Sequence, residues 1–87
     1  MSGPASIRIE DGVCDALKNV SRRPIEPMPA HDLVADLGFD SLQVLELIAE
    51  LEDRFEISIP LDTVPAPRTV AQVVAEVTRL VAERTSA

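Results

Sequence analysis

The chain has 87 residues, room for one hydrophobic core, so a two-domain enzyme is excluded. Hydrophobic residues make up 46%, yet Phe39 and Phe55 are the only aromatics, so the core is aliphatic. The net charge of −7 repels nucleic acid and anionic lipid, no apolar run nears the ~18 residues of a membrane span, and with one cysteine (Cys14) and one histidine (His31) neither an internal disulfide nor a Cys/His metal cage can form.

The charge is unevenly placed. From His31 to Asp62, the acids Asp32, Asp36, Asp40, Glu46, Glu50, Glu52, Asp53, Glu56 and Asp62 face only Arg54, nine against one and a local −8; the rest of the chain nets +1. A solvated helix face explains many such runs. Their concentration around a single serine points to a docking surface for basic partners.

In chain order, Ile9, Val13, Ala16, Leu17 and Val20 fall on one helical face and predict a first helix over 7–20. Gly12 inside it costs about 1 kcal/mol relative to alanine, which blurs where the helix begins. Cys14 lies beside the stripe as a small, partly buried residue with no base or cation cluster to activate it. Residues 21–40 contain Pro24, Pro27 and Pro29, which forbid a continuous helix. A loop this long is usually functional or disordered, and Ile25, Leu33, Val34 and Leu37 are expected to pin it to the core. His31 is read as a surface or loop histidine.

A second helix over 41–55 is expected from Asp40 at the N-cap and Gln43 at the third helical position, a capping box, followed by the period of Leu42, Leu45, Ile48, Leu51, Glu52 and Phe55 widened by Val44 and Leu47. Leu45, Ile48, Leu51 and Phe55 are expected to face the core. Gly38 supplies backbone freedom just before the helix. Residues 56–68 hold three prolines, with Ile57 and Ile59 in an extended, buried connector and at most one helical turn. A second capping box at Thr69-Val70-Ala71-Gln72 opens a last helix whose stripe is Val70, Val73, Val74, Val77, Leu80 and Val81. The fold class is therefore all-α: a small bundle of three to four helices with a long first loop and a third helix that is short or absent. A 1–6 tail, a 7–83 domain and an 84–87 tail are expected. The first six residues lack the charged and apolar regions of an export signal, so a cytoplasmic protein is expected, a monomer without membrane insertion.

Ser41 stands at the first helical position with Asp40 already in the cap, which leaves its hydroxyl free to point outward. It is no hydrolase nucleophile. Gly38-Phe39-Asp40-Ser41-Leu42 lacks the second glycine of G-x-S-x-G, and no histidine and acid complete a triad, so no catalytic residue is assigned.

The segment Asp36 to Pro60, DLGFDSLQVLELIAELEDRFEISIP, strongly resembles the acyl carrier proteins, whose L-G-x-D-S-L motif is matched by Leu37, Gly38, Asp40, Ser41 and Leu42. The resemblance implies that Ser41 receives 4′-phosphopantetheine from coenzyme A through a phosphopantetheinyl transferase. It implies a non-catalytic carrier of acyl or polyketide groups as thioesters, read by acyl-loading, acyl-transfer and condensing enzymes with basic docking patches. Carried over residue by residue, the docking positions are Asp40, Leu42, Glu46, Glu52 and Asp53. Gln43 stands where the family commonly has an acid, and Leu61 to Pro67 carries only Asp62 and is broken by Pro65 and Pro67. Both departures point to a specialised, freestanding carrier in a biosynthetic pathway. The alternatives are an aminoacyl or peptidyl carrier, which the acid at Asp40 and the −8 patch disfavour, and an unmodified acidic helical interaction module.

Overall fold

The computed structural model describes residues 5–60 and 66–86, and within them three helices pack around one core, aliphatic as expected except for the buried ring of Phe39 and the partly buried ring of Phe55: α1 (Ala5–Val20), α2 (Ser41–Phe55) and α3 (Val70–Ser86). The all-α reading holds among these residues. The α2 bounds are those its periodicity predicts. α1 begins two residues before the expected position 7, and α3 continues to Ser86, past the expected boundary at 83. The expectation of a short or absent third helix concerns Leu61 to Pro67, of which residues 61–65, with Asp62 and Pro65, lie outside the described residues.

Each helix contributes the face that its spacing marks. Ile9, Val13, Ala16 and Leu17 from α1, Leu47, Ile48 and Leu51 from α2, and Val70, Val73 and Val77 from α3 are all buried. α1 and α2 run antiparallel, because Asp15, Asn19 and Val20 meet Arg54, Glu50 and Gln43 in reverse order. The ends are closed as the sequence indicates. At α3 the Gln72 N–H donates to Thr69 Oγ1 (3.1 Å), while Gln72 Oε1 accepts the Arg68 and Thr69 N–H groups (2.7 and 3.3 Å). α2 ends at Glu56 in the left-handed region (φ 55°), where the Glu56 N–H returns to the Glu52 carbonyl.

The proline-rich loop is ordered by its own hydrogen bonds. Asp32 Oδ1 accepts the Val34 and Ala35 N–H groups (2.9 Å each), and the Asp32 N–H donates to Asp36 Oδ2 (2.7 Å), closing a turn. The bonds from the Ala35 and Val34 N–H groups hold the Asp32 carboxyl below its ordinary pKa. That turn is stitched to the start of α3: Leu33 N–H donates to Arg68 O (2.8 Å) and Val70 N–H to His31 O (3.0 Å), around a bridge between Asp32 and Thr69. His31 is a loop residue whose Nδ1 accepts the Met28 N–H (3.1 Å).

Two apolar expectations are overturned. Leu45 is 56% exposed rather than core-facing, and Val34 is 60% exposed rather than pinned. The core side of α2 runs through Leu47, Ile48 and Leu51, with Val44 and Phe55 partly buried, so at 100° per residue Leu42 and Leu45 turn outward. Ile25, Leu33 and Leu37 do anchor the loop, and so does Phe39, which is almost fully buried.

Candidate functional site

The site is the junction between the first loop and α2. Leu37 and Phe39 are both buried and clamp the chain on either side of Gly38, whose φ of 75° lies where side-chain-bearing residues are disfavoured. The chain then reaches Asp40 in an extended conformation, and α2 begins at Ser41. The capping box is complete: the Gln43 N–H donates to Asp40 Oδ1 (2.8 Å) and the Asp40 N–H donates to Gln43 Oε1 (3.2 Å). With Asp40 in that role Ser41 is not needed as a cap, and its residue is exposed. A primary hydroxyl is thus presented to solvent on a rigid helix start, beside first-turn N–H groups and the positive end of the helix dipole. This arrangement suits a covalently attached phosphate group.

The positions assigned to docking separate into two groups. Asp40, Leu42, Glu46 and Asp53 are exposed, and with Ala49 the last three form an outward stripe along α2. Glu52 is half-buried, and its Oε2 accepts the Ile59 N–H (2.8 Å), so its carboxylate secures the segment after α2. Gln43, read as a substituted docking acid, is buried; its amide also donates to Val20 O (3.4 Å), tying the start of α2 to the end of α1. Its side chain is directed inward. Sequence reasoning missed the apolar members of the exposed surface, Val34 and Leu45, which join Leu42 as large exposed hydrophobics. The signal was present as an α2 stripe wider than one face can bury.

Cys14 lies with Pro27, Pro29, Val70 and Val74 along an apolar groove of about 390 Å³ between α1, the loop and α3. Burial pushes its thiol above the ordinary value, which disfavours the nucleophilic thiolate. Among the described residues no group of three or more His, Cys, Asp or Glu could hold a metal, and no helix is long and apolar enough to cross a membrane.

Residues 11–77 match the family model described as the phosphopantetheine attachment site. The acyl carrier protein of Amoebophilus asiaticus is 43% identical over 61 residues, 70% of this chain and 76% of that protein. That of Streptomyces coelicolor is 34% identical over 79 residues, covering 84% of this chain and 86% of the relative. The meromycolate extension acyl carrier protein of Mycobacterium tuberculosis is 32% identical over 77 residues, with 87% and 67% covered. Among solved structures, a Mycobacterium tuberculosis chain provisionally described as an acyl carrier protein (Rv0033) superposes with a TM-score of 0.75 at 34% identity, covering 82% of this chain and 96% of that one. Together with the exposed serine at the start of α2, these matches place the chain in the acyl carrier protein family, whose prosthetic group is 4′-phosphopantetheine.

Proposed function

We propose that Ser41 is the attachment residue and that the protein, acting as a cytoplasmic monomer, presents acyl intermediates to partner enzymes of a specialised biosynthetic pathway. The observation that carries the assignment is the division of labour at the helix start, where Asp40 and Gln43 satisfy the cap and leave the Ser41 hydroxyl exposed. The bound arm supplies a terminal thiol that holds acyl groups as thioesters, which the Ser41 hydroxyl cannot do. The protein's own residues supply a fixed attachment point, and tethering replaces dilute substrate with a high local concentration at each partner's site. Asp40, Leu42, Glu46 and Asp53 are the proposed reading surface, on which an apolar contact is surrounded by carboxylates suited to a basic partner patch; Glu52 is withdrawn from that set because its carboxylate is engaged by Ile59.

Support for a specialised pathway comes from the relatives named for meromycolate extension. Gln43 adds none, since its side chain is buried. The test is intact mass after incubation with coenzyme A and a promiscuous phosphopantetheinyl transferase. One arm's mass is expected on the parent and none on Ser41→Ala, with unchanged helical circular dichroism. A parent that gains no mass would favour the unmodified interaction module. Label persisting in Ser41→Ala would move the site to another serine.

A further inference from the structure

Four arginines of this chain, Arg54, Arg68, Arg79 and Arg84, stand against carboxylates. Arg22 and Arg23 do not. Neither forms an ion pair among the described residues, although the chain carries 15 acids against 8 bases. They follow directly on α1 and line a recess of about 390 Å³ whose other walls include Gly38, Asp40 and Gln43, the turn that delivers Ser41 and the first turn of α2. Two adjacent arginines without an ion pair among the described residues therefore share a recess with Asp40, the residue that precedes Ser41.

Arg23 is positioned by the surrounding backbone. Ser21 Oγ accepts the Arg23 N–H (3.3 Å) and donates to the Arg23 carbonyl (2.6 Å), which fixes the chain as it leaves α1. At the other end Arg23 Nη2 donates to the Leu37 carbonyl (3.5 Å) and lies 2.7 Å from where a Cβ on Gly38 would stand. A side chain at Gly38 would collide with the guanidinium, so the same glycine that permits the turn also admits Arg23. One long bond to a carbonyl leaves most of the guanidinium's donors uncommitted. Arg22 is exposed and forms no hydrogen bond through its side chain among the described residues. Asp40 is the one carboxylate among the recess residues, and its Oδ1 already accepts the Gln43 N–H.

We propose that Arg22 and Arg23 form an anion subsite for the phosphodiester of the arm on Ser41, directing the base of the arm toward the loop after α1 and away from the exposed stripe of α2. The proposal rests on the reading of Ser41 as the attachment residue. A guanidinium offers forked donors that match two phosphate oxygens. Because both arginines are exposed, the contact is weak and screened by salt, so the arm is biased in direction while remaining free to enter a partner.

The test uses ¹⁵N-labelled apo protein and holo protein loaded to completion with excess coenzyme A and transferase, with intact mass measured first. The arginine Nε–H signals of Arg22 and Arg23 are expected to shift between apo and holo protein while those of Arg79 and Arg84 stay in place. The ³¹P signal of the holo protein is expected to differ from that of the urea-unfolded holo protein, and to lose that difference in Arg22→Gln/Arg23→Gln and in the parent at high salt. Arg22→Lys/Arg23→Lys should recover part of it. Full loading with an identical ³¹P shift in parent, double glutamine variant and unfolded protein would overturn the subsite and leave the Ser41 assignment standing. Absence of any mass gain in the parent would overturn both.

Discussion

The ring of Phe55, at the end of α2, lies directly over Gly12 in the middle of α1: a Cβ at position 12 would stand 2.5 Å from Cζ and 3.3 Å from both Cε atoms. The glycine that weakens α1 as an isolated helix is therefore the residue that lets α2 close against it. Alanine at position 12 gains about 1 kcal/mol of helix propensity but forces the ring aside, an overpacking cost of about 1–3 kcal/mol. Gly12→Ala is expected to destabilise the parent and to stabilise the protein in a Phe55→Leu background. Urea melts of the four members of this cycle check it, and a Gly12→Ala parent that melts at higher denaturant would show that the ring moves away freely.

The Asp40 cap can be separated from the Asp40 charge. Asparagine caps about as well as aspartate, whereas alanine loses about 1 kcal/mol. Asp40→Asn is expected to keep the parent's melting temperature while slowing phosphopantetheinylation several-fold, and Asp40→Ala to lose both. Gln43→Ala removes the reciprocal acceptor and the link to Val20, so a cost of about 1–2 kcal/mol is expected in thermal melts without any direct effect on docking. Asp40→Asn modified at the parent's rate would show that the carboxylate is read only as a cap.

Much of this site was legible in the sequence because it is local. The bounds of α2, both capping boxes, Gly38 as the turn residue and the exposed Ser41 all follow from residues within a few positions of one another. What misled is an excess of apolar residues on α2. Leu42, Val44, Leu45, Leu47, Ile48 and Leu51 cover too much of the circumference for periodicity to choose a centre, and only packing against α1 and α3 selects Leu47, Ile48 and Leu51 for the core. Gln43 was illegible for the opposite reason: a polar residue in a first turn reads as surface, and its burial depends on Val20, 23 positions away. The stitching of Asp32 and Leu33 to Thr69 and Arg68 is likewise a long-range pairing with no local signal.

The exposed leucine and its buried neighbours give a direct check of the α2 rotation. Leu45→Ala removes a side chain that is more than half exposed and is expected to cost under about 1 kcal/mol, whereas Leu47→Ala or Leu51→Ala opens a cavity at a fully buried site and is expected to cost about 2–5 kcal/mol. Denaturant melts compare the three. Equal losses for Leu45→Ala and Leu47→Ala would place Leu45 in the core after all.

Acid sensitivity should trace in part to Asp32. Its carboxyl is held below the ordinary value first by the Ala35 and Val34 N–H groups and then by the Arg68 charge. A folded-state pKa below the unfolded one means that the stabilisation is complete above the unfolded pKa, near about 4, and is lost as pH falls through the folded value. Asp32→Asn retains an acceptor for the turn but does not titrate. The variant is expected to be less stable than the parent at neutral pH and to converge with it in strong acid, so its melting temperature falls less steeply with pH. Parallel curves for the two proteins would remove Asp32 from the acid limb.

Recognition on the outward stripe of α2 can be separated from the charge of the whole protein. Glu46 and Asp53 are exposed, and neither side chain has a hydrogen bond or ion pair among the described residues, so their charges are available to a partner. Asp11 is an equally exposed acid on α1. Each lysine replacement changes the net charge by the same amount, which holds the long-range field nearly constant and leaves position as the variable. Charge complementarity acts mainly on encounter rate and is screened over roughly 8–10 Å at moderate salt. Glu46→Lys is therefore expected to slow modification or acyl loading several-fold at low salt and to flatten the salt dependence, with Asp53→Lys intermediate and Asp11→Lys near the parent. Initial rates with the transferase or a cognate loading enzyme at low and high salt, on variants shown to be folded, provide the measurement. If Asp11→Lys slows the reaction as much as Glu46→Lys, only net charge is sensed, and the acids of α2 are a solvated face with no role in docking.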